Sequence, residues 1–192
     1  MLRGAAAPTA TDEQKKELEK IELIKKNIGL YPDFPKAGVL FRDTCTILRQ
    51  PNAFQALKEV LVQCVRVHFV ETECIGGLDA RGFLIGPIIA LELRIPFIPI
   101  RKRGKLPGKV TTEEYTKEYG KDAVEIQDES VTAGAKILLV DDLLATGGSL
   151  QASCNLIEKC YGEVIGCLVI AEIENLHGRA QIPVPLHSIV KY

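Results

Sequence analysis

The sequence predicts an α/β domain, with a central parallel sheet flanked by helices and preceded by an N-terminal helical arm. Three observations carry this reading. Short apolar runs alternate with segments of helical period, which implies a parallel sheet covered on both faces. The 192 residues, 46% hydrophobic, are enough for one domain with a substantial core. Finally, several of the runs end in turns rich in charge or glycine, and the carboxyl ends of strands are where open sheets of this class bind ligands.

Taken in order, residues 1–10 form an Ala/Pro/Thr-rich stretch expected to be a disordered tail, leaving 11–192 as a single domain. Thr11 and Gln14 have the spacing of a capping box, and Leu18, Ile21, Ile24 and Ile28 follow at helical spacing, so a helix is expected up to about Gly29. The stretch YPDFPKAGVLFRD, punctuated by proline and glycine, is expected to be a structured loop without helix. A helix over Pro51 to Val70, a strand at Cys74 to Leu78 and a helix over Gly82 to Leu93 come next. PFIPIRKRG reads as a strand that turns basic at its end. LPGKVTTEEYTKEYGKD, with little periodicity, reads as a functional or mobile segment. VEIQDES alternates as a strand does, and the apolar run at Ile137 follows. The remainder reads as a helix over Gly148 to Tyr161 and strands at Glu163 to Glu174 and Ser188 to Tyr192, the last at an edge.

Composition excludes several functions. A formal net charge of -1 provides no global basic field for nucleic acid or an acidic membrane, so neither is expected as a partner. No run has the length needed to cross a bilayer, and a cytoplasmic location is expected. The six cysteines include no CxxC pair and are read as reduced core thiols, and the three histidines are scattered in sequence.

The most informative stretch is ILLVDDLLATGGSL, Ile137 to Leu150. An apolar strand that ends in two carboxylates is not explained by packing, because a buried ionised carboxylate needs a partner. Beyond the acids, small residues allow backbone N–H groups to approach an anion, the helix starting near Gly148 contributes its positive dipole end, and Thr146 and Ser149 add hydroxyls. That is a phosphate cradle, and without GxxxxGK[ST] it is not a P-loop. Asp141 and Asp142 would then accept hydrogen bonds from ribose hydroxyls of the same ligand, making it a ribose 5-phosphate.

VDDLLATGGS resembles the phosphoribosyl-pyrophosphate (PRPP) motif of the type I phosphoribosyltransferases. Together with YPDFPKAGVLFRD, GLDARGF, IRKRGKLPG and EYGK it resembles the adenine-using members of that family, from about Ile21 to the C-terminus. The resemblance implies the type I fold with a flexible hood at about 104–124, a homodimer, and a purine-salvage reaction of adenine with PRPP giving AMP and pyrophosphate. It also implies Mg²⁺, held mainly by PRPP and water with no dedicated protein ligand.

Residue by residue, the resemblance assigns the 5-phosphate to Ala145, Thr146, Gly147, Gly148 and Ser149, and the ribose to Asp141 and Asp142. Pyrophosphate falls to Asp79, Ala80, Arg81, Arg101, Lys102 and Lys105, with Arg101 like an arginine that reaches a neighbouring subunit. Leu40, Phe41 and Arg42 would frame adenine. Glu118 would be catalytic beside adenine N7, next to Tyr119 of the hood. The family often has Ser at the position of Ala80, and the Asp79–Ala80 peptide corresponds to a cis bond in related enzymes. Two alternatives stand beside this reading: transfer to another purine, which calls for a lysine facing a 6-oxo group, and a PRPP-sensing regulator, which calls for a DNA-binding domain or basic face that the chain lacks.

Overall fold

The computed structural model describes residues 11–117 and 120–192. Helix α1 (Asp12–Lys26) opens on the expected capping box: the Gln14 amide donates to Thr11 Oγ1 at 3.3 Å and the Thr11 amide to Gln14 Oε1 at 2.8 Å. Acids in its first turn and lysines in its last match the helix dipole. The expected apolar stripe is buried only toward its C-terminal end. Ile24 and Ile28 enter the core and Ile21 packs against it, whereas Leu18 is 58% exposed, as befits an appended arm.

Strands β1 (Gly29–Pro32) and β2 (Leu40–Asp43) pair antiparallel, so the stretch read as a loop is helix-free but its ends form a small two-stranded sheet. Short helix α2 (Cys45–Leu48) and long helix α3 (Pro51–His68) follow. Strand β3 (Cys74–Leu78), helix α4 (Gly82–Leu93) and strand β4 (Phe97–Lys102) lie where the sequence placed them. The remaining elements are β5 (Val110–Lys117), β6 (Gly120–Gln127), β7 (Lys136–Leu144), α5 (Gly148–Lys159), β8 (Glu163–Glu172) and β9 (Leu186–Lys191).

Seven strands run in the order β5-β6-β4-β3-β7-β8-β9. The five from β4 to β9 are parallel, and β5 and β6 extend the β4 edge antiparallel. Alternate β7 residues serve opposite faces. Leu138 and Val140 join the core under α1, α3 and α4, while Ile137 and Leu139 join the core under α5. Helix α4 starts against the sheet because Gly82 has no Cβ, which would lie 2.6 Å from the Val140 carbonyl oxygen. Among the described residues no helix is long and apolar enough to cross a membrane.

Two expectations change. The segment after β4 is not structureless: β5 and β6 form a regular hairpin, paired from Val110↔Gln127 to Lys117↔Gly120. Its inward residues bond polar groups of α5, so its alternation is polar rather than apolar. Glu113 takes hydrogen bonds from Asn155 and Lys159, and Tyr115 from Ser149. The histidines are not all apart in space either, since the rings of His68 and His187 stack with centroids 4.7 Å apart. All six cysteines are free, and Cys64, Cys74, Cys154 and Cys167 are buried.

Candidate active site

The carboxyl ends of β3 and β7, the basic end of β4 and the hairpin enclose a cleft of about 520 Å³. It brings together Asp79, Ala80, Arg81, Lys102, Asp141, Asp142 and the loop from Ala145 to Ser149. A larger groove, about 780 Å³, lies between α1 and α3, but its charged lining shares no residue with the cleft.

The loop from Ala145 to Ser149 is shaped by glycine. Gly147 caps α5 with φ 87°, and a Cβ there would lie 2.6 Å from the Gly178 carbonyl oxygen, so only glycine fits both the torsion and the packing. The first-turn amides of α5 have no acceptor within the helix, so with the helix dipole behind them they are placed to receive an anion. Ser149 Oγ lies 3.0 Å from Tyr115 Oη, which ties the loop to the hairpin.

The two adjacent acids are not equivalent. Asp142 is 3% exposed and already partnered: Thr44 Oγ1 donates to its Oδ2 at 2.6 Å, and Arg81 Nε lies 3.0 Å from the same oxygen. Burial raises its carboxyl, opposed by the Arg81 charge and the Thr44 hydroxyl. Asp141 accepts from the Asp142 amide at 2.9 Å and, among the described residues, has no cation in ion-pair contact, feeling the Arg81 charge from farther off. Burial and the Asp142 charge push it up to about 8. Burial thus pushes both carboxyls up, but only Asp142 has a hydroxyl and a guanidinium held against it.

Opposite these acids, the Asp79–Ala80 peptide is cis, as the resemblance implies. Arg101 donates from Nε to Asp79 Oδ2 at 3.1 Å and from Nη1 to the Lys105 carbonyl at 3.1 Å. The basic turn is held from below by Glu125 of β6, a buried residue to which sequence reasoning gave no role. Its carboxylate accepts the amides of Gly104, Lys105 and Leu106 at 3.0, 2.8 and 2.9 Å. Burial raises its carboxyl, and the three amides outweigh that and hold it low. Thr44 was missed as well. No local signal marks either residue, because each acts on a partner distant in the chain.

Leu40, Phe41, Arg42, Arg101 and Lys105 do not line the cleft itself. Phe41 borders it through Arg81, whose guanidinium carbon is 5.8 Å from the ring centroid, and meets Phe34 edge-on at 5.1 Å. Arg42 lies over the Tyr192 ring at 4.2 Å and donates to the Leu40 carbonyl, while its buried Nε has no hydrogen-bond partner among the described residues. Glu118 and Tyr119 fall outside the described residues.

Comparison with known proteins gives this geometry a context. A family model described as the phosphoribosyl transferase domain matches residues 43–184. The adenine phosphoribosyltransferase of Drosophila pseudoobscura pseudoobscura is 46% identical over 174 residues, 91% of this chain and 96% of that protein. That of Rattus norvegicus is 42% identical over 175 residues, 90% and 97% of the two. Among solved structures, the Saccharomyces cerevisiae enzyme complexed with an imino-altritol bisphosphate and adenine superposes with a TM-score of 0.87 at 37% identity, covering 90% of this chain and 99% of that one. The Trypanosoma brucei enzyme in complex with AMP, pyrophosphate and ribose-5-phosphate gives 0.81 at 27% identity, covering 91% and 79%.

Proposed function

The chain belongs to the phosphoribosyl transferase domain family, among its adenine phosphoribosyltransferases, and on that premise we propose how its cleft divides the work. The reaction is purine salvage: adenine and PRPP give AMP and pyrophosphate. Transfer joins adenine N9 to C1 of the ribose as pyrophosphate leaves, so the site must hold a phosphate, a ribose and a polyanionic leaving group in line.

The loop from Ala145 to Ser149 takes the 5-phosphate, a role supported by the glycine turn at the start of α5. Asp141 and Asp142 take the ribose hydroxyls. Their unlike environments suit two tasks, with Asp142 fixed by Thr44 and Arg81 and Asp141 adapting to the ligand. Arg81, Lys102 and Lys105 take pyrophosphate with the Asp79–Ala80 backbone. Arg101 orders the basic turn and, across the dimer, reaches the neighbouring site. Leu40, Phe41 and Arg42 frame adenine, Phe41 by stacking. Glu118 shares a proton with adenine N7 as N9 bonds to ribose, and the hairpin bearing it and Tyr119 acts as the hood.

Mg²⁺ is part of this proposal. The acidic side chains at the cleft are all hard oxygen donors, Asp79, Asp141 and Asp142, which suits an ion carried in mainly by PRPP and water. When bound it would neutralise charge building on the departing pyrophosphate. A homodimer is supported by α4, an almost wholly apolar helix that leaves Leu84 and Leu91 42% and 82% exposed on the single chain. A cytoplasmic location is supported by six free cysteines.

The observation that carries the proposal is the convergence of phosphate loop, acid pair and basic turn on one cleft. Incubating the protein with PRPP, Mg²⁺ and adenine, hypoxanthine or guanine separately should yield nucleotide from adenine far above the other two. Product from hypoxanthine in preference to adenine would overturn the base assignment, and no product from any base would favour a PRPP-binding regulator.

A further inference from the structure

We propose that Cys64, His68 and His187, completed by Glu17, form a second metal site, for zinc, at the edge of the sheet far from the cleft in sequence and element. Cys64 and His68 are four residues apart on α3 and so present their side chains on one helical face, one turn apart. His187 comes from β9, the edge strand beside them. One ligand atom from each of the three lies within 4.8 Å of the others.

They border a cavity of about 150 Å³, into which α1 also places Glu17. Glu17 is close enough to act electrostatically on both Cys64 and His187. A thiolate, two imidazoles and a carboxylate are the ligand types of tetrahedral zinc, and the one soft donor disfavours Mg²⁺ or Ca²⁺. Zinc at about 2.0–2.1 Å from nitrogen and about 2.3 Å from sulfur draws its ligand atoms to about 3.3–3.6 Å of one another. The stacked rings of His68 and His187 must turn about their χ2 torsions to point at one centre. The cavity beside the partly open His187 and the exposed His68 gives them room for it. Binding releases the Cys64 thiol proton to solvent. The bound ion would join the N-terminal arm, α3 and the last strand, where the arm and α3 already share the Lys20–Glu59 ion pair.

The test uses the full chain, stripped with a chelator, dialysed and titrated with Co²⁺, then with Zn²⁺ against a chromophoric chelator. One equivalent of Co²⁺ per chain should produce a near-ultraviolet thiolate-to-cobalt band with tetrahedral ligand-field bands, and Zn²⁺ should abolish both. The thiolate band should vanish in Cys64→Ser. Zinc affinity should fall about tenfold or more in each of His68→Asn and His187→Asn, while AMP synthesis by these two variants is unchanged. If Cys64→Ser does not fold, the more exposed histidine variants carry the test. Cobalt bound without a thiolate band, a band surviving Cys64→Ser, or zinc affinity undiminished in both histidine variants would overturn the proposal. None of these outcomes bears on the cleft, so the transferase reading stands or falls separately.

Discussion

Replacing Asp141 with asparagine should make the protein more stable and less active. Burial and the neighbouring Asp142 charge push the Asp141 carboxyl from 3.8 up to about 8. The folded chain therefore keeps a proton that the unfolded chain has lost by neutral pH, and stability falls as pH rises from about 4 to about 8. Only the span from 3.8 to pH 7, about 3 units, counts at that pH, which at about 1.4 kcal/mol per unit sets a limit of about 4 kcal/mol. Relaxation and water entry around the ionised carboxyl reduce this to about 2 kcal/mol. Asparagine removes the ionisation while its oxygen can still accept the Asp142 amide now held at 2.9 Å. Urea unfolding at about pH 5.5, 7 and 8.5 should give a gain of about 2 kcal/mol at pH 7 and a flatter pH dependence in Asp141→Asn. The same variant should raise KM for PRPP about tenfold, because the amide replaces a carboxyl oxygen that accepts from a ribose hydroxyl. A variant no more stable than the parent at pH 7, alongside a parent whose stability does not fall between those pH values, would refute the account.

Three further outcomes are expected. Thr44→Val preserves shape but takes the 2.6 Å donor from the buried Asp142 carboxylate, so unfolding free energy should drop by about 1–3 kcal/mol; an unmoved urea midpoint would mean that Arg81 alone satisfies the acid. Glu125→Ala leaves the amides of Gly104, Lys105 and Leu106 without their acceptor. Steady-state kinetics should show kcat/KM for PRPP reduced on the order of tenfold, partly restored in Glu125→Gln, since ordering the turn is a positioning effect; wild-type kinetics in Glu125→Ala would remove that role. Glu118→Leu should lower kcat by about 10²- to 10⁴-fold with PRPP affinity by equilibrium binding little changed, and unaltered turnover would exclude Glu118 from the mechanism.

What could be read from sequence depended on whether a residue's partner was local. Strand β3 and helix α4 were legible to the residue because an apolar run and an apolar helix are bounded by Asp79 to Arg81, a turn with its own chemistry. The β5–β6 hairpin was not, because the partners of its inward face are Asn155, Lys159 and Ser149, so its period-two pattern carries no hydrophobic signal. Asp141 and Asp142 stood out in the sequence as a pair of acids ending an apolar strand, but read as twins. What separates them is Thr44, 98 residues away, and Arg81. Cys64 and His68 have ligand spacing in plain view, yet nothing in the chain indicates that β9 brings His187 alongside.

The pairing of acids with arginines across the cleft also has a mechanistic meaning. Asp142 holds Arg81 through Nε, and Asp79 holds Arg101 through Nε, at 3.0 and 3.1 Å. A guanidinium has five N–H donors in a rigid fork, so a bond at Nε orients the plane and leaves donors at the other nitrogens for a second anion. Each carboxylate thus orients a cation without using up its capacity. The cost is attraction, because each acid partly cancels the charge that a polyanion would feel. Lys102 and Lys105, exposed at the rim, are placed to restore it. Geometry and field are therefore divided between residue types. In the proposed reaction the arginines fixed by acids would set where pyrophosphate sits, while Lys102 at the end of β4 and Lys105 on the turn braced by Glu125 would provide the positive potential that draws it in.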